Sequence, residues 1–182
     1  SLNLLAMAWI ATGVFVYQSF ISDSKLWDIY TIPKSFMVYS ITSVLTLILS
    51  GYLVDKFSSR KVIIFANFPL LLGLILLFLF DNQIISYIFF SLMAISNGLT
   101  LVLGSSLWAE IYGVKYIGSI KALTTSLMVL LTAFGTAIFG YFIDAGLSVE
   151  NISLICIIYI TTTFIMLLII NKKINPIILN KA

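Results

Sequence analysis

The side chains of this chain that could do chemistry fall into two sets. The first is a charge cluster, Gly51-Tyr-Leu-Val-Asp55-Lys56-Phe-Ser-Ser-Arg60-Lys61, set between two long apolar runs. Gly51 reads as the end of a helix, followed by an aspartate and then by basic residues that lead into the next run. Asp55 suits the positive end of a helix dipole, and Lys56 or Arg60 suits a carboxylate such as Glu110, which closes a later run on the same side. The second set is uncharged. Tyr39, Ser43, Thr46 and Ser50 repeat at helical spacing, as do Asn97, Thr100 and Gly104; Tyr17 with Gln18, and Thr125 with Thr132, add to them. Side chains of this kind either hydrogen-bond a solute in a cavity or let helices pack closely by bonding back to their own backbone. Packing is the expectation for any single Ser or Thr. Tyr17, Gln18, Tyr39 and Asn97 demand more hydrogen bonds and are the stronger site candidates.

Composition removes most other chemistry. Histidine is absent, so imidazole metal sites, haem ligation and Ser–His catalysis are not available. Cys156 is the single cysteine and can form no intrachain disulfide. No Asp, Glu, Lys or Arg lies in the middle third of an apolar run, so a proton relay has no carrier there. A membrane enzyme needs titratable groups gathered near one interface, and only Asp55, Glu110, Lys115 and Lys121 approach that. The reading is a non-enzyme with no metal, no cofactor and no nucleic-acid partner; its partners are the lipid bilayer and a small-molecule solute.

The elements that must position these residues follow from hydrophobicity. Of 182 residues, 61% are hydrophobic and 9% charged, against roughly 25% charged in soluble domains. A soluble fold of this size cannot hide so much apolar surface. Six runs are long enough to span a bilayer: 2–22, 33–54, 61–80, 83–109, 118–143 and 152–170, with 171–182 as a tail. They lack the alternation of a barrel strand, so the expected fold is an all-α integral membrane protein with six transmembrane helices. Placing the Gly51–Lys61 loop in the cytoplasm puts Lys56, Arg60, Lys61, Lys115, Lys121, Lys172, Lys173 and Lys181 on that side, eight of the ten basic residues. Both termini are then cytoplasmic, and a bacterial inner membrane is the expected location. The third and sixth runs are almost pure hydrocarbon and read as lipid-facing, whereas the other four are mixed. A pattern that repeats every three helices suits an inverted three-helix repeat. Because the chain opens at Ser1 and not at Met, it reads as a piece of a longer protein.

Gly51-x-Leu53-x-Asp55-Lys56-x-Ser58-x-Arg60-Lys61 resembles the signature loop of the major facilitator superfamily, Gly-x-Leu-small-Asp-basic-x-Gly-x-basic-basic. Val54 stands where a small residue is usual and Ser58 where the second glycine is, a decay typical of the copy in the C-terminal half. Trp108-Ala-Glu110-Ile-Tyr112-Gly113-x4-Gly118-Ser-Ile-Lys121 resembles the connection between the tenth and eleventh helices, and Gly135-Thr-x3-Gly140-x3-Asp144-x-Gly146 the end of the eleventh. Together they are most similar to the bacterial branches grouped with monocarboxylate transporters and oxalate–formate exchangers.

The resemblance implies helices seven to twelve of a twelve-helix fold, a 3+3 inverted repeat, in a secondary active transporter that moves a small organic solute by rocker-switch alternating access. A carboxylate is among the candidate solutes. Oxalate-type exchangers carry a basic residue midway along the eighth and eleventh helices; here both are uncharged, with Lys121 at the cytoplasmic end and Lys34 at the external end. Gly51, Asp55, Lys56, Arg60, Lys61 and Glu110 would form the gating loop. Tyr17, Gln18, Tyr39, Ser43, Thr46, Asn97, Thr100, Thr125 and Thr132 would line the substrate cavity. The implied partner is the missing N-terminal half. Alternatives are a self-standing six-helix protein that homodimerises and a non-catalytic membrane subunit.

Overall fold

A computed structural model describes residues 2–179; Ser1 and 180–182 lie outside it. Eight α-helices follow in order: α1 (Leu2–Val16), α2 (Gln18–Ser24), α3 (Thr31–Phe57), α4 (Ser59–Phe65), α5 (Phe68–Leu79), α6 (Gln83–Tyr112), α7 (Ile117–Asp144) and α8 (Val149–Leu179). No strand occurs among the described residues. Five stretches are long and apolar enough to cross a membrane: α3, α4 with α5 (Ser59–Leu79), α6, α7 and Val149–Ile169 of α8. The bent pair α1 and α2 supplies a sixth if counted as one span. Of the expected tail, 171–182, the backbone through Leu179 continues α8, and its lysine side chains fall outside the described residues.

Two of the six runs are broken, and the second break has a plain cause. Pro69, in the first turn of α5, has no N–H for the preceding turn and its ring crowds the carbonyl one turn back. The helix stops at Phe65 and restarts at Phe68. One freed backbone group is taken up by a neighbour, and a side chain in the break ties it to α1. Leu70 N–H donates to Ser96 Oγ on α6 (2.9 Å), and Asn67 Nδ2 donates to the backbone oxygen and to Oδ1 (3.1 Å) of Asn3 on α1. The first break lies at Tyr17, whose ψ of 25° leaves the helical range, and it turns α2 by 65° from α1. No proline sits there. The bend delivers the segment after α2 to the ends of two other spans.

Packing within the bundle follows small residues and polar seams. At Gly135 of α7 an added Cβ would lie 2.5 Å from the Trp9 carbonyl oxygen and 2.8 Å from its Cα, so α1 and α7 cross backbone to backbone. The α3–α6 seam is polar along its length. Gln83 Nε2 donates to Thr31 Oγ1 (2.5 Å), the Ser35 and Ser86 hydroxyls share a bond (2.8 Å), and Asn97 Nδ2 donates to the Tyr39 hydroxyl (2.9 Å). The apolar core joins α1, α5, α6 and α8 through Ile10, Leu70, Leu74, Phe89, Met93, Cys156 and Ile160. The expectation that the third and sixth runs simply face lipid therefore needs correction. One face of α5 (Leu70, Leu74, Leu77) is buried in that core, while Phe68, Leu72, Ile75 and Leu79 remain exposed. A hydrocarbon helix can serve core and lipid at once because both are equally apolar. The least buried spans are α3 and α7.

The ends of the bundle opposite the Gly51–Lys61 segment are tied by one buried lysine. The Lys25 side chain is 1% exposed and pairs with Asp81, before α6, and with Glu150 Oε1 (2.6 Å) in the first turn of α8. Trp27 Nε1 donates to the Asp81 backbone oxygen (2.8 Å). Burial alone disfavours the Lys25 charge, but hydrogen bonds to Asp81 and Glu150 outweigh it and raise the pKa above the usual 10.5. The lysine's contribution is thus complete at neutral pH and is lost only as alkali carries the pH through the raised value.

Two outcomes follow for thermal unfolding of the purified protein in detergent. Removing both acids (Asp81→Asn with Glu150→Gln) strands a buried charge and should destabilise by roughly 3–5 kcal/mol, whereas Lys25→Met leaves only carboxylates that water can reach and should cost far less; the reverse order would refute the buried-lysine account. Gly135→Ala should destabilise by about 1–3 kcal/mol through overpacking. Gly51→Ala, where a Cβ meets nothing within 4 Å, should be neutral or stabilising.

Candidate functional site: the cavity between α1, α6 and α7

Between α1, α6 and α7, with Tyr39 of α3 at one end, lies a cavity of about 510 Å³, within the size range of small-molecule sites. Its wall on α1 is apolar (Leu4, Leu5, Met7, Ala8, Ala11), relieved by Thr12. α6 contributes Asn97, Thr100, Gly104, Ser105 and Trp108, and α7 contributes Lys121, Thr124, Thr125, Met128 and Thr132. The far end is lined by Phe15 and Tyr39. Phe15 stacks on Phe36 (5.6 Å between centroids) and meets Tyr39 edge-on (5.3 Å), and Phe90 packs behind (5.3 Å from Phe36).

Of the nine residues expected to line a substrate cavity, this space brings together Tyr39, Asn97, Thr100, Thr125 and Thr132. The other four lie elsewhere. Tyr17 borders a separate void of about 20 Å³ with Phe139 and Cys156, room for about one water, and its hydroxyl packs on Gly140. Gln18 begins α2 beyond the bend, with its Oε1 buried and unpartnered. Thr46 is buried against Gly98 and donates to the Thr42 carbonyl (2.7 Å), which is the packing role of a membrane threonine. Ser43, half-buried on α3, does not border the cavity. The shared reason is that helical spacing reports which residues share a face, while the neighbour of that face is set by helix crossing and by the bend at Tyr17. Residues that spacing alone did not single out are Thr12, Ser105, Trp108, Thr124 and Lys121. Lys121, a helix-end cation in the sequence, is exposed near the start of α7 and borders the space from that end.

At the end of the bundle carrying the charge cluster, the helices also diverge from expectation. Gly51 does not end a helix: α3 runs through it to Phe57. The turn comes at Ser58, whose φ of 73° and ψ of 141° put a side chain in a region that favours glycine. Glu110, near the C-terminal end of α6, closes the turn. Its carboxylate accepts from Ser58 Oγ (2.6 Å) and from the Ser59 backbone N–H (2.9 Å), and Arg60 Nε lies 3.5 Å away as an ionic contact. Lys56 instead lies over the Tyr52 and Phe57 rings at 5.6 and 5.5 Å. Asp55 and Lys61 are exposed, and among the described residues neither makes an ion pair.

A model of the Major Facilitator Superfamily matches residues 1–178. The chain belongs to the major facilitator superfamily. No curated protein and no solved structure matches it. The match is to the superfamily as a whole and does not extend to the monocarboxylate and oxalate–formate branch. Membership makes the chain part of an integral membrane transporter family, not an enzyme family. It also accounts for Ser58: the position that the superfamily's signature loop fills with its second glycine is the one whose backbone here has positive φ.

A glycine-type conformation on a serine costs on the order of 1–3 kcal/mol, and the bond to Glu110 offsets part of it, about 1 kcal/mol. Ser58→Ala should keep the strain and lose the bond, destabilising by about 1 kcal/mol. Ser58→Gly should relieve the strain and leave stability unchanged or higher. Melting temperatures of the two variants check this, and an alanine variant at least as stable as the glycine one would show that the turn is unstrained.

Proposed function

We propose that this chain is the C-terminal six-helix half of a secondary active transporter, which carries a small organic solute through the 510 Å³ cavity by rocker-switch alternating access. The observation that carries the reading is the cavity itself. It lies among the helices with mixed composition, beside α3 and α7, which are the least covered spans. A solute of a few to a dozen heavy atoms fits, held by hydroxyls and by the Tyr39–Asn97 pair.

In this reading the exposed faces of α3 and α7 lie against an N-terminal half. Exposed Asp55 reaches a helix N-terminus of that half, and Glu110 holds the turn that presents it. The clasp around Glu110 is polar and partly solvated, so it biases the equilibrium between conformations without locking it. Both termini and the Gly51–Lys61 segment lie in the cytoplasm, consistent with eight of the ten basic residues at that end.

Thiol labelling of the full-length protein in right-side-out and inverted vesicles tests this. The native Cys156 is buried and provides a quiet background. A Thr132→Cys variant should react with an impermeant reagent from both sides of the membrane, because alternating access exposes the same residue in turn. Asp55→Asn should shift the ratio of the two rates by roughly two- to five-fold, the size of a helix-dipole contact. Labelling from one side alone would refute alternating access, and an unchanged ratio would remove Asp55 from the gate.

A further inference from the structure

The side-chain hydrogen bonds that cross between α3 and α6 differ in what lies beside them. Thr31, Ser35 and Ser86 are fully buried, so the Gln83–Thr31 and Ser35–Ser86 bonds are closed inside the seam. The Tyr39–Asn97 bond is different: both side chains are half-buried and both border the cavity. That bond spends only part of what the two groups can do. Asn97 Nδ2 donates to the Tyr39 oxygen (2.9 Å), which leaves the Tyr39 O–H with no acceptor and Asn97 Oδ1 with no donor among the described residues. A donor and an acceptor, already held side by side, are left over at the cavity wall.

The surroundings of the pair are polar on one side only, and they carry no charge. Thr12, Thr124 and Thr132 each donate to a carbonyl of their own helix. Thr100 lies one turn beyond Asn97 on α6, borders the same space, and has a buried Oγ1 without a partner. Phe15 meets the Tyr39 ring edge-on (5.3 Å), and the rest of the α1 wall is the hydrocarbon of Leu4, Leu5, Met7, Ala8 and Ala11. No carboxylate borders the cavity. Lys121, the one charged residue that does, is exposed near the start of α7 and also borders a surface groove, so water compensates it.

We propose that Tyr39 and Asn97 are the specificity-determining pair of this cavity, and that they take an uncharged carboxamide group on an apolar, ring-sized body. The Tyr39 O–H donates to the amide carbonyl oxygen, and Asn97 Oδ1 accepts from the amide N–H. The body of the solute lies against Phe15 and the α1 wall. A carboxylate of the same shape turns a second acceptor towards Asn97 Oδ1, and an amidinium turns a second donor towards the Tyr39 O–H. Either ion would also leave water with no counter-charge beside the pair. The inference rests on the reading of the cavity as the solute site and adds the polar group and the neutrality of the solute.

Probes of one shape separate these terms: benzamide, acetophenone, benzoate and benzamidinium. Acetophenone keeps the carbonyl and lacks the N–H; the two ions keep the outline and change the charge. Affinities are measured by titration calorimetry on the full-length protein in nanodiscs at neutral pH, with the heat of empty nanodiscs subtracted. Benzamide should bind about ten-fold more tightly than each of the others. Tyr39→Phe, which keeps the ring, should weaken benzamide and acetophenone by the same factor, roughly five-fold, because both present a carbonyl. Asn97→Leu should abolish the preference for benzamide over acetophenone, because Asn97 Oδ1 reads the N–H. Benzoate or benzamidinium binding as tightly as benzamide, a preference over acetophenone that survives Asn97→Leu, or no binding of benzamide would each overturn the proposal. The outcome is separable from the wider reading, because two-sided labelling of Thr132→Cys reports alternating access whether or not an amide binds.

Discussion

A chain this apolar has one dominant constraint: its polar groups must find partners inside the protein, since the surrounding hydrocarbon offers none. Most of the structure can be read as the consequence. Thr46 and Ser50 bond back to the carbonyls one turn earlier, and Ser91, Ser106 and Thr161 do the same on other helices. Where Pro69 opens α4–α5, Ser96 accepts from the freed Leu70 N–H, and Asn67 donates to Asn3 on α1. Where a lysine is buried, two acids from two other connections converge on it. These devices also set the geometry. Ser96 fixes the height of α5 against α6, Asn67 ties α1 to the break, and Lys25 ties the connection after α2 to those before α6 and α8.

The same constraint separates scaffold from site. Along the α3–α6 seam every named hydroxyl and amide has a neighbour within hydrogen-bond distance, which makes that pair a rigid wall. Around the cavity the accounting does not close. Thr100 has a buried, unpartnered oxygen there. Buried polar atoms of this kind also occur outside the cavity, at Asn3, Gln18, Arg60 and Asn67; Thr100 is the one among them that borders it.

The two ends of the bundle are held differently. On the Lys25 side the tie is buried and draws three connections together. On the Glu110 side it is a partly solvated carboxylate closing a strained turn, with Asp55 left exposed beside it. A buried ion pair resists opening because the charge has nowhere else to go, while a solvated clasp exchanges its partners for water at little cost. The fold thus has one stiff end and one compliant end, with the cavity residue Lys121 at the compliant one.

Hydrophobicity, charge order and the Gly51–Lys61 pattern were enough to read the all-helical membrane fold and the superfamily, because these depend on how far a helix must run to cross hydrocarbon and on residues adjacent in the chain. Polar faces were legible too, since three- and four-residue spacing is a property of any α-helix. Which faces met was not. Tyr17 and Gln18 were drawn away from the cavity by a 65° bend at a position with no proline to mark it. Thr46 was taken up by the α3–α6 contact, and Thr12 came to the cavity from α1, where no repeat marked it. The strained backbone at Ser58 and the approach of Gly135 to Trp9 are likewise relations between segments far apart in the chain. One-dimensional periodicity determines what a helix offers; only the crossing of helices decides what receives it.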